Sequence, residues 1–510
     1  MNSIRLLSIL SGLLLAPFFL VANSNPDIFF YDLEVQLNPA LQRLAGTNKV
    51  HFRAVTDTDE LRLDLVSSLK VKRVEANGSQ LRFTQAGGEI IIFLPKTLKP
   101  GQTSSLSILY GGIPAAIKGK RGIIWGLNDG KPWCGTSPGH QPESWWPCRV
   151  RSADPVDSMH LTVITPEHLM AVSQGELNRF GSLPGSLRRW DWRINTRLAP
   201  DELSFAVGSY VHFVQQYQRG AQTFPLNYYA LSNNKEAAKR TFGDLDVPAM
   251  LNCLERFLGP YPFPRSGYAF IESPEPSQGL PGMIPFSRES FESDFGPALL
   301  RETSRQWLGF RMKFLDDDAE DLGESLRAFM NVLHIECRYG KDSSDAYLSF
   351  LQQGYSSGST KYRDLAFGVW AWQNLRFQVD NDSLFFGALR LLASRAPREG
   401  FDGEMMMDFF EQKLAIPVRP ILRQYVFVKE LPILGYTWKK KGKKYAFQYK
   451  WIGVSPDFNL DIVARRDDQV ERIGVSSSLN QMNWTAGDQE NLSFDGRRVW
   501  YLVKEVKRFD

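Results

Sequence analysis

Two arginines one helical turn apart, with a carboxylate beside the first, form the most unusual chemistry-bearing pattern in this sequence: Arg301-Glu302-Thr303-Ser304-Arg305. Glu324 follows, with eighteen residues between it and Arg305. A guanidinium stays protonated at ordinary pH and offers five donors but no lone pair, so the arginines can grip carboxylates and cannot ligate a metal. Imidazoles do not make up the lack. The six histidines are His51, His140, His160, His168, His212 and His334, and no two lie within five residues, so the short spacings that share a metal are missing. Gly354-Tyr355-Ser356-Ser357-Gly358 has the letters of a nucleophile elbow. Residues 345–353 before it read as a helix, however, and an elbow must follow a strand, so a loop between helices is the better reading.

The elements that must hold these residues change character along the chain. Residues 28–212 alternate in short runs, such as 49–54, 61–65, 89–94 and 104–110, broken by Gly, Pro, Asn and Asp, which is the pattern of a β-rich region. Helical periodicity takes over across 216–431, where Leu322, Leu326, Phe329, Met330, Leu333 and Cys337 stack on one face. Strands return in 432–510, with runs at 436–438 and 445–451 around a lysine-rich turn over 439–444. That turn reads as a solvated hairpin tip. The expected organisation is a multidomain α+β chain: a signal segment over 1–24, then 25–215, 216–431 and 432–510.

Composition narrows the function classes. Apolar residues at 43% provide ample surface to bury, which excludes a disordered chain. The 60 basic and 56 acidic residues nearly cancel, leaving +4, too little to call for a nucleic-acid partner. Arg5, the apolar run 6–21, and the small residues Ala22 and Ser24 read as a secretory signal, so the protein is expected to be exported, either secreted or periplasmic. If left uncleaved, the segment would instead anchor the chain, and no later stretch is apolar enough to span a membrane. Of the four cysteines, Cys134 and Cys148 could close a loop; the alternative is four buried thiols, counting Cys253 and Cys337.

Several phrases in order resemble the aminopeptidase N family of zinc metallopeptidases. They are Trp145-Trp146-Pro147-Cys148, Asp154-Pro155 with Asp157-Ser158-Met159, Val172-Ser173-Gln174-Gly175-Glu176-Leu177, and Phe257-Leu258-Gly259-Pro260-Tyr261-Pro262-Phe263. The resemblance covers nearly the whole chain after the signal. The resemblance implies an N-terminal β-saddle over 25–215, a thermolysin-like, mainly helical domain over 216–431, and a small C-terminal β-sandwich over 432–510. It also implies H-E-x-x-H, eighteen residues, then Glu, two imidazoles and a carboxylate around one zinc. Gln306-Trp307-Leu308-Gly309 resembles the run after the second histidine, and Leu322-Gly323-Glu324-Ser325 resembles the phrase of the third ligand.

On that frame the metal positions are Arg301, Arg305 and Glu324, and the general-base position is Glu302. Zinc, expected in the family, is expected to be absent here. Unit charges about 4 Å apart at an effective dielectric of 20 interact by roughly 4 kcal/mol, so two fixed guanidiniums repel a dication strongly. The family's G-x-M-E-N grips a substrate ammonium; Gly282-Met283-Ile284-Pro285 stands there without the carboxylate. Leu365, in Leu365-Ala366-Phe367-Gly368, replaces the tyrosine that stabilises a tetrahedral intermediate, and Tyr362 is nearby. Gln141 falls where a saddle-domain glutamine touches substrate. Ion pairs among Arg301, Arg305, Glu302 and Glu324 are expected to fill the vacated metal space.

The reading is therefore a pseudopeptidase without cofactor, binding a peptide or a protein partner in its interdomain cleft, with Gln141, Gly282, Met283 and Ile284 on the substrate side. The alternatives are an atypical aminopeptidase of weak activity, and a structural exported protein with a plugged cleft.

Overall fold

The structure is a computed structural model that describes residues 25–136, 141–150, 155–219, 222–265, 267–274, 279–287, 295–356, 358, 360–394, 400–441, 444–466, 469–485 and 492–509. The expected signal over 1–24 lies outside the described residues, as do His140 and Asp154.

The N-terminal half is β-rich. Its main sheet has eight strands, in the order Glu176–Leu183, Leu187–Ile194, Ser158–Pro166, Asp27–Asn38, Arg43–Arg53, Thr103–Gly112, Leu69–Ala76 and Ser79–Gln80. Asp27–Asn38 shows why these residues form a half-buried strand: Tyr31, Leu33, Val35 and Leu37 alternate into the core. Trp146 meets Tyr31 edge-on at 4.9 Å, and Trp145 meets Phe205 at 5.2 Å, so the Trp-Trp phrase is an internal packing element of this half.

Strands continue further than the helical periodicity suggests. A four-stranded sheet, Tyr210–Arg219, Gln222–Leu231, Tyr268–Glu272 and Met283–Phe286, separates the two hydrophobic cores. Its period-two alternation sends Tyr229, Ala269, Ile271 and Met283 to the N-terminal core, while Tyr228, Tyr268, Phe270 and Ile284 pack with the helices.

The helices follow as α1 (Lys235–Leu245), α2 (Val247–Leu258), α3 (Phe295–Ser304), α4 (Asp317–Tyr339), α5 (Lys341–Ser356) and α6 (Thr360–Val379), then two more helices, Asp382–Ser394 and Gly403–Leu414, and short helical turns to Val428. Asp316 caps α4, accepting from the Ala319 amide at 2.8 Å, and Asp317, Asp318 and Glu320 face the positive end of its dipole. The predicted apolar face of α4 is buried through Leu322, Leu326, Phe329, Met330 and Leu333, and Cys337 is partly buried on the same side. Ser356 ends α5, so Gly354-Tyr355-Ser356 is helical and the elbow pattern has no strand before it.

The C-terminal strands form two sheets, of four and three strands. They share one hydrophobic core with the helices, through residues such as Trp451, Phe458 and Trp500. The lysine-rich segment differs from expectation: strands Ile433–Lys441 and Lys444–Ile452 pair to the register Lys441↔Lys444, so most of 439–444 is strand.

The cysteine reading needs correction. The disulfide joins Cys253 on α2 to Cys337 on α4, while Cys134 and Cys148 are buried free thiols. Cys134 sits opposite Val207 and Trp125 within a sheet, whereas Cys148 makes an isolated bridge to Asp64. Burial pushes both thiols up, away from thiolate. Among the described residues, no helix is long and apolar enough to cross a membrane.

Candidate functional site

The site is built where α3, α4 and α6 converge. α3 carries Arg301 and Glu302, and Arg305 stands at its C-terminal junction. The next residues, Gln306–Arg311, do not continue a regular helix: Leu308 (φ −103°, ψ 60°) and Gly309 leave helical geometry. The Phe310 amide reaches back to the Arg305 carbonyl at 3.0 Å, closing one wide turn. The break would orphan the Leu308 carbonyl, but Arg327 Nη1 donates to it at 2.6 Å. A Cβ on Gly309 would come within 2.8 Å of the Arg305 side chain, which favours glycine there.

Arg327 is the residue that sequence reasoning missed. Its side chain is only 1% exposed, and a buried guanidinium requires anionic partners. It has them on its own helix: Nη2 lies 2.6 Å from Glu324 Oε2 and 2.7 Å from Glu320 Oε1, and Nε donates to Glu324 Oε2 at 3.0 Å. The i,i+3 spacing of Glu324 and Arg327 was the available signal. From α3, Arg301 Nη1 approaches Glu324 Oε1 at 3.2 Å. Both carboxylate oxygens of Glu324 thus face guanidiniums. Burial alone would raise the Glu324 pKa; the charge and hydrogen bonds of Arg327, then Arg301 and Arg305, outweigh it and hold it below the usual value.

Arg305 turns elsewhere. Its guanidinium lies over the Phe310 ring at 5.4 Å and reaches Glu302 only at 3.9 Å. Glu302 Oε2 is buried against Gly279 and has no hydrogen-bond partner among the described residues. The expected network is therefore unevenly realised: Arg301 pairs closely with Glu324, Arg305 and Glu302 pair loosely, and the strongest contacts come from Arg327.

A cavity of about 320 Å³ opens beside this network. Charged side chains line it from three directions: Arg301, Asp321 and Glu324 from α3 and α4, Asp364 from α6, and Lys429 from beyond the last helical turn. Leu365, Ala328, Gly368 and Val426 supply the apolar wall. Leu365 thus lies in the same cavity as Arg301 and Glu324, whereas Tyr362 packs against Phe350 and under Gly354. Gly368 lets α6 approach α4, since a Cβ there would sit 3.1 Å from Ser325. Trp372 Nε1 donates to Ser325 Oγ at 2.8 Å and keeps the two helices in register.

The remaining site residues are placed apart from that cavity. Gly282 adopts φ +75°, a backbone requirement for glycine, and its amide donates to Gln306 Oε1 at 2.8 Å. Gln306 Nε2 donates in turn to the Leu280 carbonyl at 3.0 Å, so this buried amide side chain fixes the approach to Met283–Phe286. Met283 is buried in the N-terminal core and Ile284, 1% exposed, in the helical core. Gln141 heads the short turn Pro142–Ser144, its carbonyl accepting from Ser144 Oγ at 2.6 Å. None of these four lines the cavity. Trp307 Nε1 donates to the Gly259 and Pro260 carbonyls at 3.0 and 2.9 Å, tying the Gly-Pro-Tyr-Pro phrase to the site helix.

These donors do not fit zinc. Two of the three positions have no lone pair, and the third has both oxygens engaged by guanidiniums. No group of three or more His, Cys, Asp or Glu side chains suited to a metal occurs among the described residues.

The fold is that of the M1 zinc metallopeptidases, the aminopeptidase N type. A two-domain M1 zinc metallopeptidase point mutant bound to L-tryptophan superimposes with a TM-score of 0.61 at 20% identity, over 80% of this chain and 96% of its own. A mutant M1 zinc metallopeptidase from Deinococcus radiodurans bound to a Tyr-Ser-Ala substrate gives the same values. The unmutated Deinococcus radiodurans enzyme aligns with a TM-score of 0.61 and 20% identity, over 80% of this chain and 95% of its own. At this identity the likeness is one of fold. No family model and no curated protein matches the sequence.

Proposed function

We propose that this chain puts an M1 metallopeptidase fold to a non-catalytic use: an exported pseudopeptidase, without a metal cofactor, that holds a peptide or protein segment. The observation that carries the reading is Glu324, the one family-type metal ligand left, gripped by Arg301 at 3.2 Å and by Arg327 at 2.6 Å. A dication would have to displace two cations to reach it. Glu302 has no metal-polarised water to deprotonate, and Leu365 offers no hydroxyl to a tetrahedral intermediate. The cavity of about 320 Å³ favours a chain that binds something over one whose cleft is plugged. Neighbours of the same fold bind a tripeptide and single amino acids, which supports a peptide-related occupant.

Metal analysis of the purified protein, with a panel of aminoacyl chromogenic substrates, tests the proposal. Substoichiometric zinc and no turnover are expected. One zinc per molecule with turnover abolished by Glu302→Gln would make the protein an atypical aminopeptidase.

A further inference from the structure

The cavity beside Glu324 has its own charge pattern, and that pattern selects a ligand. Glu324 is committed to the buried Arg327, whose guanidinium contacts it through two nitrogens. Two cations, Arg301 and Lys429, and two carboxylates, Asp321 and Asp364, then remain on the lining. Lys429 pairs with Asp364 at 3.2 Å, and Asp364 is largely exposed. Arg301 approaches Glu324 through Nη1 at 3.2 Å, with roughly half of its side chain, 47%, open to solvent. Asp321 has no ion pair among the described residues. Leu365, Ala328 and Val426 line the rest with hydrocarbon.

An anion alone would meet two carboxylates here, and a cation alone two basic groups. A ligand with both charges and an apolar tail satisfies all three features. We propose that this cavity is a binding site for a zwitterion of amino-acid size with an apolar side chain. Its carboxylate is taken by Arg301, its ammonium by Asp321, and its side chain by Leu365 and the adjoining apolar wall. Arg301 can accept a second carboxylate because a guanidinium fork has donors to spare, and half-exposed ion pairs exchange partners readily. The arrangement uses a fixed guanidinium to recognise a free carboxylate, at a position where relatives of the fold would place a metal ligand. The assignment rests on the non-catalytic reading, because a metal bound at Glu324 would draw Arg301 and Arg327 away from it.

Calorimetric titration with three probes tests the site: L-leucine, 3-methylbutylamine, which lacks the carboxylate, and 4-methylpentanoate, which lacks the ammonium. L-Leucine is expected to bind at least tenfold more tightly than either half-molecule. Arg301→Gln should weaken L-leucine to the level of 3-methylbutylamine while leaving that amine unchanged. Asp321→Asn, on the exposed side of α4, should weaken L-leucine and leave 4-methylpentanoate unchanged. Leu365→Trp should weaken all probes by filling the cavity. Thermal melts confirm that each variant is folded, and the Asp321 variant decides the matter should the Arg301 variant not be. Half-molecules that match L-leucine, or no L-leucine binding by metal-free protein, overturn the site alone. Stoichiometric zinc in the same preparation overturns the non-catalytic reading beneath it.

Discussion

Arg301 and Glu324, on different helices, meet at 3.2 Å through Nη1 and Oε1, and the far oxygen of the same carboxylate is held by Arg327. One carboxylate therefore serves two guanidiniums, one half-exposed and one buried.

Removing that carboxylate should be costly. Glu324→Ala strands Arg327 at 1% exposure with Glu320 as its remaining carboxylate. Breaking a buried pair costs roughly 3–5 kcal/mol, and the surviving Glu320 contact and the half-exposure of Glu324 bring the expected loss to about 2–3 kcal/mol. Denaturant unfolding checks this, and an unchanged midpoint would show that the network does not hold the helices. Glu302→Gln, by contrast, should change stability by no more than about 0.5 kcal/mol, because among the described residues Glu302 makes only the loose 3.9 Å ion pair.

Restoring imidazoles should not by itself restore a metal site. In the double variant Arg301→His, Arg305→His, Glu324 stays hydrogen-bonded to Arg327 through Nε and Nη2. No stoichiometric zinc is expected after dialysis against micromolar metal, whereas nanomolar affinity would mean that Arg327 yields its carboxylate easily.

Acid should weaken the fold in two windows. His334 is pushed down to about 4, by burial first and then by the Arg338 charge. Its folded value lies below the unfolded one of about 6.5, so the unfolded chain takes the proton first, and stability is lost as pH falls from about 6.5 toward 4. Glu324 is likewise held below its unfolded value, so its contribution is present above the ordinary carboxylate range and disappears as pH falls through its lowered folded value. Unfolding midpoints between pH 7 and 5 should drop in the native chain and drop less in His334→Gln.

The disulfide closes 84 residues of chain between α2 and α4. Loop-closure entropy for such a length gives an upper value of about 4.5 kcal/mol, so Cys253→Ser with Cys337→Ser should lower the melting temperature substantially. Thiol titration without reductant should find no reactive thiol in the native protein and two, Cys134 and Cys148, after denaturation. Four would show that the bridge does not form.

Sequence patterns carried much of this far. Periodicity located the α4 face, because a helix repeats every 3.6 residues whatever lies around it, and the resemblance to the aminopeptidase N signature is what put Arg305 and Glu324 in one neighbourhood. Side-chain chemistry alone established that Arg301 and Arg305 have no lone pair for a metal. The strands between 210 and 286 were less legible, since a sheet buried on both faces shows little alternation of polar and apolar residues.

Tertiary structure decided the rest, because it turns on which distant surfaces meet. The pairing of Cys253 with Cys337, the break at Leu308 and Gly309, the capture of the Leu308 carbonyl by Arg327, and the arrival of Lys429 at a cavity built by α3, α4 and α6 all depend on helix packing. The sequence by itself determined which atoms can donate, accept or carry charge. Only the fold determined that an arginine one helical turn beyond Glu324 would be buried and would hold the one carboxylate that a metal would need, because the energy of a buried charge depends on the partners that packing brings to it.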